Sequence, residues 1–377
     1  MRIAILGIRG VPAKYGGLET CAEEIGARLV ARGHEVICYC RYTGTEDDRL
    51  PEFRGIKRIM LHNLRYTITD TYTHSFLACC HVLAVKPDVI LAFNPAISSV
   101  CAIPRVFGYP VVLNPDGFDW RRAKWGPFAK RFIYVSAYMA AKVCNQLIID
   151  AKSVSDYYAG EFDCAPVYIP NGANVDTEST RPEILAQYGI EKDNYFLFLS
   201  RHVPENSCRH IIKAFEALDT DKKLVMGGGQ AEESSYAASL RETRDPRILF
   251  PGPIYDPDHV RELHLGCYAL LHGNQPGGTS LGLLKALGHG CCVLTLNTVD
   301  NAYAVQDAAV TYKLSETDLH DKMRYVLDHP EAVAELRRKA VARCRDAYNW
   351  DVLAEQYEEI LRRAARGEKS PTFDPAS

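Results

Sequence analysis

The chain has 377 residues, 47% of them hydrophobic and 24% charged, with a formal net charge of −3. That length exceeds what one ordinary core serves, so two domains are expected, and the near-neutral charge argues against a dedicated nucleic-acid binder. The longest apolar runs are broken by Pro87, Pro95, Pro104 and Pro110, which excludes a membrane span, and residues 1–7 read as a strand rather than a secretory leader.

Thirteen cysteines are scattered through apolar segments. None forms a CxxC pair and none has zinc-site spacing, so they read as small buried hydrophobes in a reducing cytoplasm.

The chain opens with a strand at residues 2–8, a glycine-rich loop at 7–17, a helix at 18–32 ending on Gly33, and a strand at 35–39. The loop lacks GxGxxG spacing, which disfavours a nicotinamide-type site. It still puts Gly16 and Gly17 at the carboxyl end of a first strand, where open α/β sheets bind ligands, with Lys14 and Tyr15 beside them. Strands follow at 56–61, 89–93, 111–114 and 147–150, with helices at 75–85, 96–107 and 127–145. Such alternation implies a parallel sheet.

A second series starts near residue 195. Its strands fall at 196–200, 224–226, 248–250, 268–271 and 293–296, with helices at 210–218, 234–243, 257–264 and 281–288. Residues 170–176, rich in turn formers, read as the link. Past residue 309 the chain turns helical, at 319–327, 330–345 and 351–366, and residues 367–377 read as a disordered tail. The expected domains are 1–172 and 173–348, with a closing helix at 349–366. The class is α/β: two Rossmann-like domains facing a cleft.

Residues 273–290 stand out. A buried strand hands over to a helix through Gly277 and Gly278, with Thr279 and Ser280 as N-cap candidates and Gly290 as a C-cap. Free N–H groups and the partial positive charge of a helix N-terminus suit phosphate. A strand–helix turn with no ligand is the alternative.

Four motifs in order resemble the retaining family 4 glycosyltransferases of GT-B architecture, and within them a subgroup rich in bacterial rhamnosyltransferases. They are Gly7-Ile-Arg-Gly-Val-Pro-Ala-Lys-Tyr-Gly-Gly-Leu-Glu-Thr20, Asn114-Pro-Asp-Gly-Phe-Asp-Trp-Arg-Arg-Ala-Lys-Trp125, Arg201-His-Val-Pro-Glu-Asn206 and Gly277-Gly-Thr279. The resemblance implies a nucleotide-diphosphate sugar held mainly by the second domain, an acceptor held mainly by the first, and transfer with retention. It also implies C-terminal helices returning to the first domain. No cofactor or metal is implied, since helix dipoles and cations carry the diphosphate charge. The implied setting is cell-surface polysaccharide synthesis from a sugar such as rhamnose. The acceptor is lipid-linked or a saccharide, met at the inner face of an anionic membrane.

On this resemblance Arg201, Asn206, Gly277, Gly278, Thr279, Ser280 and Lys285 are donor-side residues, with Gly16 and Gly17 approaching the transferred sugar. Asp116 and Asp119 are the candidate catalytic carboxylates, with capping and turn formation as the bland alternative for each. Tyr15, Arg122 and Lys124 are acceptor-side candidates. The basic and aromatic residues from Trp120 to Phe132 can hold an acceptor diphosphate and touch anionic lipid, or form a solvated face over packed aromatics.

One position departs from the family pattern. The two glutamates expected seven residues apart are Gly277 and Lys285 here. Gly277 is usual for the subgroup. Lys285 is not: a ribose-accepting carboxylate has become a cation that only donates. The alternative function is therefore a catalytically impaired homologue acting as a binding or partner protein.

Overall fold

The computed structural model describes residues 1–13, 16–62, 69–121, 125–229, 234–275 and 278–368. Tyr15, Arg122, Lys124, Gly277 and most of the tail lie outside them. The chain forms two compact units, residues 1–171 with 350–377, and residues 172–349.

The first unit opens with β1 (Arg2–Leu6), α1 (Gly17–Ala31) and β2 (Glu35–Arg41), then β3 (Glu52–Phe53) and β4 (Ile56–Leu61). It continues through α2 (Thr69–Val85), β5 (Val89–Phe93), α3 (Ala102–Val106), β6 (Val111–Asn114), α4 (Pro127–Val143), β7 (Gln146–Ile149), α5 (Lys152–Phe162) and β8 (Val167–Tyr168). The second unit holds α6 (Ile184–Gln187), β9 (Tyr195–Leu199), α7 (Cys208–Glu216), β10 (Lys223–Gly227), α8 (Ser235–Leu240) and β11 (Ile248–Gly252). After these come α9 (Pro257–Gly266), β12 (Ala269–His272), α10 (Leu281–Gly288), β13 (Val293–Leu296), α11 (Val299–Val305), β14 (Val310–Tyr312), α12 (Glu316–Asp328) and α13 (Pro330–Ala347). The last helix, α14 (Trp350–Ala365), belongs to the first unit.

The strands read as continuous apolar runs because both faces of each sheet are covered. β1, β5, β6 and β12 are almost wholly buried along their length. The first sheet runs β3-β4-β2-β1-β5-β6-β7-β8 and the second β11-β10-β9-β12-β13-β14. Every described pairing is parallel except β3 with β4. Each order reverses once, between β1 and β5 and between β9 and β12. Two right-handed α/β series winding away from a central pair leave a crevice at the carboxyl ends there, which is where ligands bind in such sheets.

One expected element is corrected and one helix is added. The helix expected over residues 96–107 is a 3₁₀ turn at Pro95–Ile97 followed by the five-residue α3. Pro104 lacks the N–H that would bond the carbonyl four residues back, so it is accommodated only in the first turn of a helix, and α3 starts just before it. The sequence reading assigned no element to residues 152–162, which form α5. That helix buries only Val154, Tyr158 and Phe162, one residue per turn, and has no side-chain N-cap.

α14 returns to the first unit and packs on α1, β5 and β6. It buries Trp350, Leu353, Tyr357 and Leu361 on one face. Each side chain of this size contributes about 1.5–3 kcal/mol of apolar burial. Buried polar contacts fix its placement. The Tyr357 hydroxyl accepts from Asn114 Nδ2 at 3.3 Å and lies 3.6 Å from Cys21 Sγ. Glu358 meets His34 Nε2 at 2.8 Å, Arg362 Nη2 at 2.6 Å, and Arg32.

Burial pushes the Glu358 carboxyl up, but hydrogen bonds from Arg32, Arg362 and His34 outweigh that and bring it down to about 2. A carboxyl with a depressed folded-state pKa contributes stability above its unfolded value, near 4.5, and loses it as pH falls toward 2. Thermal midpoints should therefore fall between pH 5 and pH 3, and Glu358→Gln should flatten that slope. Equal slopes in the two proteins would remove this carboxylate as a source of the acid sensitivity (pH windows of about this width follow from linkage).

Candidate active site

In the first unit the loop after β1 is built for close approach. Gly7 has φ +93°, and a Cβ there would stand 2.0 Å from the Phe93 carbonyl at the end of β5. Only glycine lets the two strand ends at the reversal point come this near. The loop is tied to α1 by carboxylates: Arg9 N–H donates to Glu19 Oε1 at 3.2 Å and Ala13 N–H to Glu23 Oε2 at 2.7 Å. Gly16, with φ +110°, is the N-cap, and Gly17 opens the helix with both residues exposed.

Beneath this loop lies a pocket of about 180 Å³, lined among others by Arg9, Glu19, Cys40, Arg41, Asp48 and Arg58. Of its guanidiniums, Arg41 meets a carboxylate and Arg58 donates to the Asp47 and Leu50 carbonyls. Arg41 Nη1 pairs with Asp70 Oδ2 at 2.9 Å, and Asp48 accepts from Thr43 and Gly44 N–H groups. Donors and acceptors of this mixed kind suit hydroxyl groups as well as anions. The sequence reading quoted Arg9 inside its first motif without assigning it a role. Arg41 and Arg58 carried no local signal, because strand pairing of β2 with β4 brings them here.

Asp116 follows β6, one strand from β5. Its φ is +62°, a left-handed conformation sparsely used by residues other than glycine, and its N–H donates to Asn114 Oδ1 at 3.0 Å. Asn114 is fully buried and reaches Tyr357, so α14 props the turn that presents Asp116. Asp119 opens a 3₁₀ turn (Asp119–Arg121). Both carboxylates are half-buried and act on Tyr158, whose hydroxyl pKa is raised first by burial and then in part by their charge.

The aromatic stretch is packed rather than free. Trp120 is buried in the core, and the Arg121 guanidinium lies 4.1 Å over the Phe118 ring. α4 nevertheless exposes Phe128, Arg131, Val135, Tyr138 and Lys142, spaced three and four residues apart along one stripe. α4 has no acidic residue.

In the second unit two loops meet at the carboxyl ends of β9 and β12. Asn206, buried, donates from Nδ2 to Ser200 Oγ at 2.9 Å and to the Arg201 carbonyl at 2.8 Å. The 3₁₀ turn Pro204–Asn206 then locks to residues 273–275. Gln275 N–H donates to the Glu205 carbonyl at 2.9 Å and Ser207 Oγ to the Gly273 carbonyl at 2.8 Å. A Cβ on Gly273 would stand 2.4 Å from the Asn206 carbonyl. Asn301, which the sequence reading missed, holds the Asn274 carbonyl from the far side at 3.0 Å.

These contacts hold the loop that follows Arg201 against residues 273–275, which precede α10. Arg201 is exposed, and its guanidinium makes no hydrogen bond or ion pair among the described residues. Gly278, with φ +122°, and buried Thr279 lead into Ser280, the N-cap, whose hydroxyl makes no capping bond. Hence the Ser280 side chain does not take up the first N–H groups of α10, where the positive end of its dipole lies.

Gly282 and Lys285 are the exposed residues of α10. Crowding of the Lys285 ammonium lowers its pKa below the usual lysine range, an effect that solvent at its open flank tempers. Its neighbours are His289 and His264, whose Nδ1 atoms lie 2.9 Å apart. Burial, then the charge of Lys285, keeps His289 down at about 4, and burial with His289 and Lys285 holds His264 below the ordinary imidazole value. Both rings are neutral near pH 7.

Residues 15–177 match the profile of glycosyltransferase family 4, and residues 205–359 match a glycosyl transferase-like profile. The chain carries a glycosyltransferase family 4 domain. No curated protein matches it. Among solved structures, the glycosyltransferase is similar to sucrose-phosphate synthase from Thermosynechococcus elongatus, with 16% identity over 97% of this chain and 100% of that one and a TM-score of 0.84. It is similar also to Anabaena HepE in complex with UDP and glucose, at 16% identity, 96% and 99% coverage and a TM-score of 0.77. A third is WaaG, a glycosyltransferase involved in lipopolysaccharide biosynthesis, at 17% identity, 96% and 99% coverage and a TM-score of 0.72. The fold of the glycosyltransferase is thus the GT-B type. Among the described residues, no helix is long and apolar enough to cross a membrane.

Proposed function

We propose that this glycosyltransferase moves a hexosyl group, with rhamnose the leading candidate, from a nucleotide-diphosphate sugar to a hydroxyl of a lipid-linked or saccharide acceptor, with retention of configuration. The observation that carries the reading is Arg201, a guanidinium with no hydrogen bond or ion pair among the described residues, on a loop held against the segment that leads into α10. A guanidinium binds phosphate oxygens in a charge-assisted, often bidentate way, and helix N–H groups add to it. As the sugar–phosphate bond breaks, negative charge grows on the leaving diphosphate, and a preorganised cation is worth most at that point. HepE, with the same fold, was solved with UDP and glucose. On the acceptor side, Asp116 takes the role of orienting or deprotonating the attacking hydroxyl. No metal is required, since Arg201 and the helix dipole carry the charge.

The exposed stripe of α4 supports contact with the inner face of an anionic membrane. Phe128, Val135 and Tyr138 alternate with Arg131 and Lys142, and each basic residue near such a surface contributes about 1 kcal/mol. That location fits assembly of a cell-surface polysaccharide.

Lys285 favours a second reading, a homologue that binds nucleotide sugars without turning them over. An ammonium cannot accept the hydroxyl hydrogens a carboxylate would. One experiment separates the readings: hydrolysis and transfer from a panel of nucleotide sugars, with and without anionic vesicles. Transfer of at least one sugar, with salt-reversible sedimentation, is the expected result. Nucleotide binding without turnover would establish the second reading, and sedimentation indifferent to vesicles would sink the membrane assignment.

A further inference from the structure

The sequence reading treated all thirteen cysteines as inert, and the structure sets two apart. Cys38 and Cys40 sit two residues apart on β2, so they share a face of the strand, and their Sγ atoms are 3.8 Å apart. Both are buried, and Cys40 lines the pocket under the loop after β1. Gly10 packs directly on it: a Cβ there would stand 2.7 Å from Cys40 Sγ. The Val11 carbonyl lies 3.9 Å from the same sulfur, and Arg58 lines the same pocket.

The electronic setting agrees with this geometry. The hydrogen bond with Cys38 leads the effects that draw the Cys40 thiol down to about 7, against burial and with help from Arg58, while Cys38 is held up as the protonated partner. A thiolate is the nucleophile in sulfur oxidation, and a neighbouring thiol is what resolves its product.

We propose that Cys38 and Cys40 form a redox-responsive dithiol, with Cys40 attacked through the pocket by a peroxide-class two-electron oxidant and Cys38 closing the disulfide. In the first step the Cys40 thiolate displaces hydroxide from hydrogen peroxide and becomes a sulfenic acid. In the second, Cys38 sulfur attacks Cys40 sulfur, its proton leaves with the hydroxyl group, and water departs. Two thiols and one peroxide give one disulfide and two waters. Two residues of extended strand hold their Cβ atoms about 6.6 Å apart, more than a disulfide spans, so closing the sulfurs to about 2.05 Å requires the end of β2 to leave its extended pairing with β4, and Gly10 and its loop, which rest on Cys40, must follow. Oxidation therefore reshapes the pocket without touching the donor-side unit.

The test uses the full chain. Trypsin releases residues 33–41 as one peptide holding these two cysteines and no other. After treatment with one equivalent of hydrogen peroxide, denaturation and N-ethylmaleimide, that peptide should be lighter by two hydrogens and unalkylated, and dithiothreitol beforehand should restore both thiols to labelling. In Cys38→Ser, Cys40 should stop at a sulfenic acid that dimedone captures. Full double labelling of the peptide under peroxide that oxidises exposed Cys80 would overturn the proposal. So would conversion of Cys40 to a sulfinic acid in the wild-type chain without disulfide.

Discussion

Asp116→Asn is expected to lower turnover by about 100- to 10,000-fold, the usual cost of losing an acid–base group, while leaving nucleotide binding intact. The substitution is a clean one. Asn tolerates the left-handed backbone that Asp116 adopts. The N–H that donates to Asn114 Oδ1 is untouched, and so is the link from Asn114 to α14. What changes is the ability to take a proton or to accept strongly from an acceptor hydroxyl. Asp116 also lies in the first unit, whereas the loops proposed to face the nucleotide lie in the second. Steady-state transfer kinetics beside calorimetry with the nucleotide separate the two effects, and full turnover in the variant would take Asp116 out of the mechanism.

Arg201→Ala should weaken donor binding by about 10- to 150-fold, the equivalent of roughly 1.5–3 kcal/mol for one charge-assisted contact. Stability should barely move. The guanidinium has no partner among the described residues, and the carbonyl that anchors Asn206 belongs to the backbone and survives the change. Melting temperature and donor calorimetry on the same preparation check both halves. Donor affinity equal to wild type would refute the role; a collapse of the melting temperature would mean that Arg201 props the loop instead.

The strands were legible where burial on both faces made an apolar run, as in β5, β6 and β13, whose spans match the sequence reading residue for residue, as does that of the half-buried β4. α10 was equally plain, because Ser280 and Gly290 bracket it: Gly290 has φ +70° and donates to the Leu287 carbonyl at 2.9 Å. α5 was not, since one buried residue per turn and an Ala151 N-cap leave little periodicity to read. At the candidate site, Arg201 could be picked out as a cation at a strand end. What holds the loop after it against residues 273–275 could not. The contacts of Glu205 with Gln275 and of Asn206 with Gly273 join positions some seventy residues apart, and they depend on β9 and β12 lying side by side. Likewise the placement of Asp116 depends on Tyr357, which lies more than two hundred residues further on.

That last distance has a consequence for how the molecule is made. The first unit begins to leave the ribosome before the second and is finished after it. Its sheet can pair once β8 has emerged, but Asn114, Cys21 and His34 acquire their partners on α14 only after the whole of the second unit has been synthesised. Until then the turn that carries Asp116 lacks its prop. The unit that presents Asp116 is thus completed only by α14, once the second unit has been synthesised.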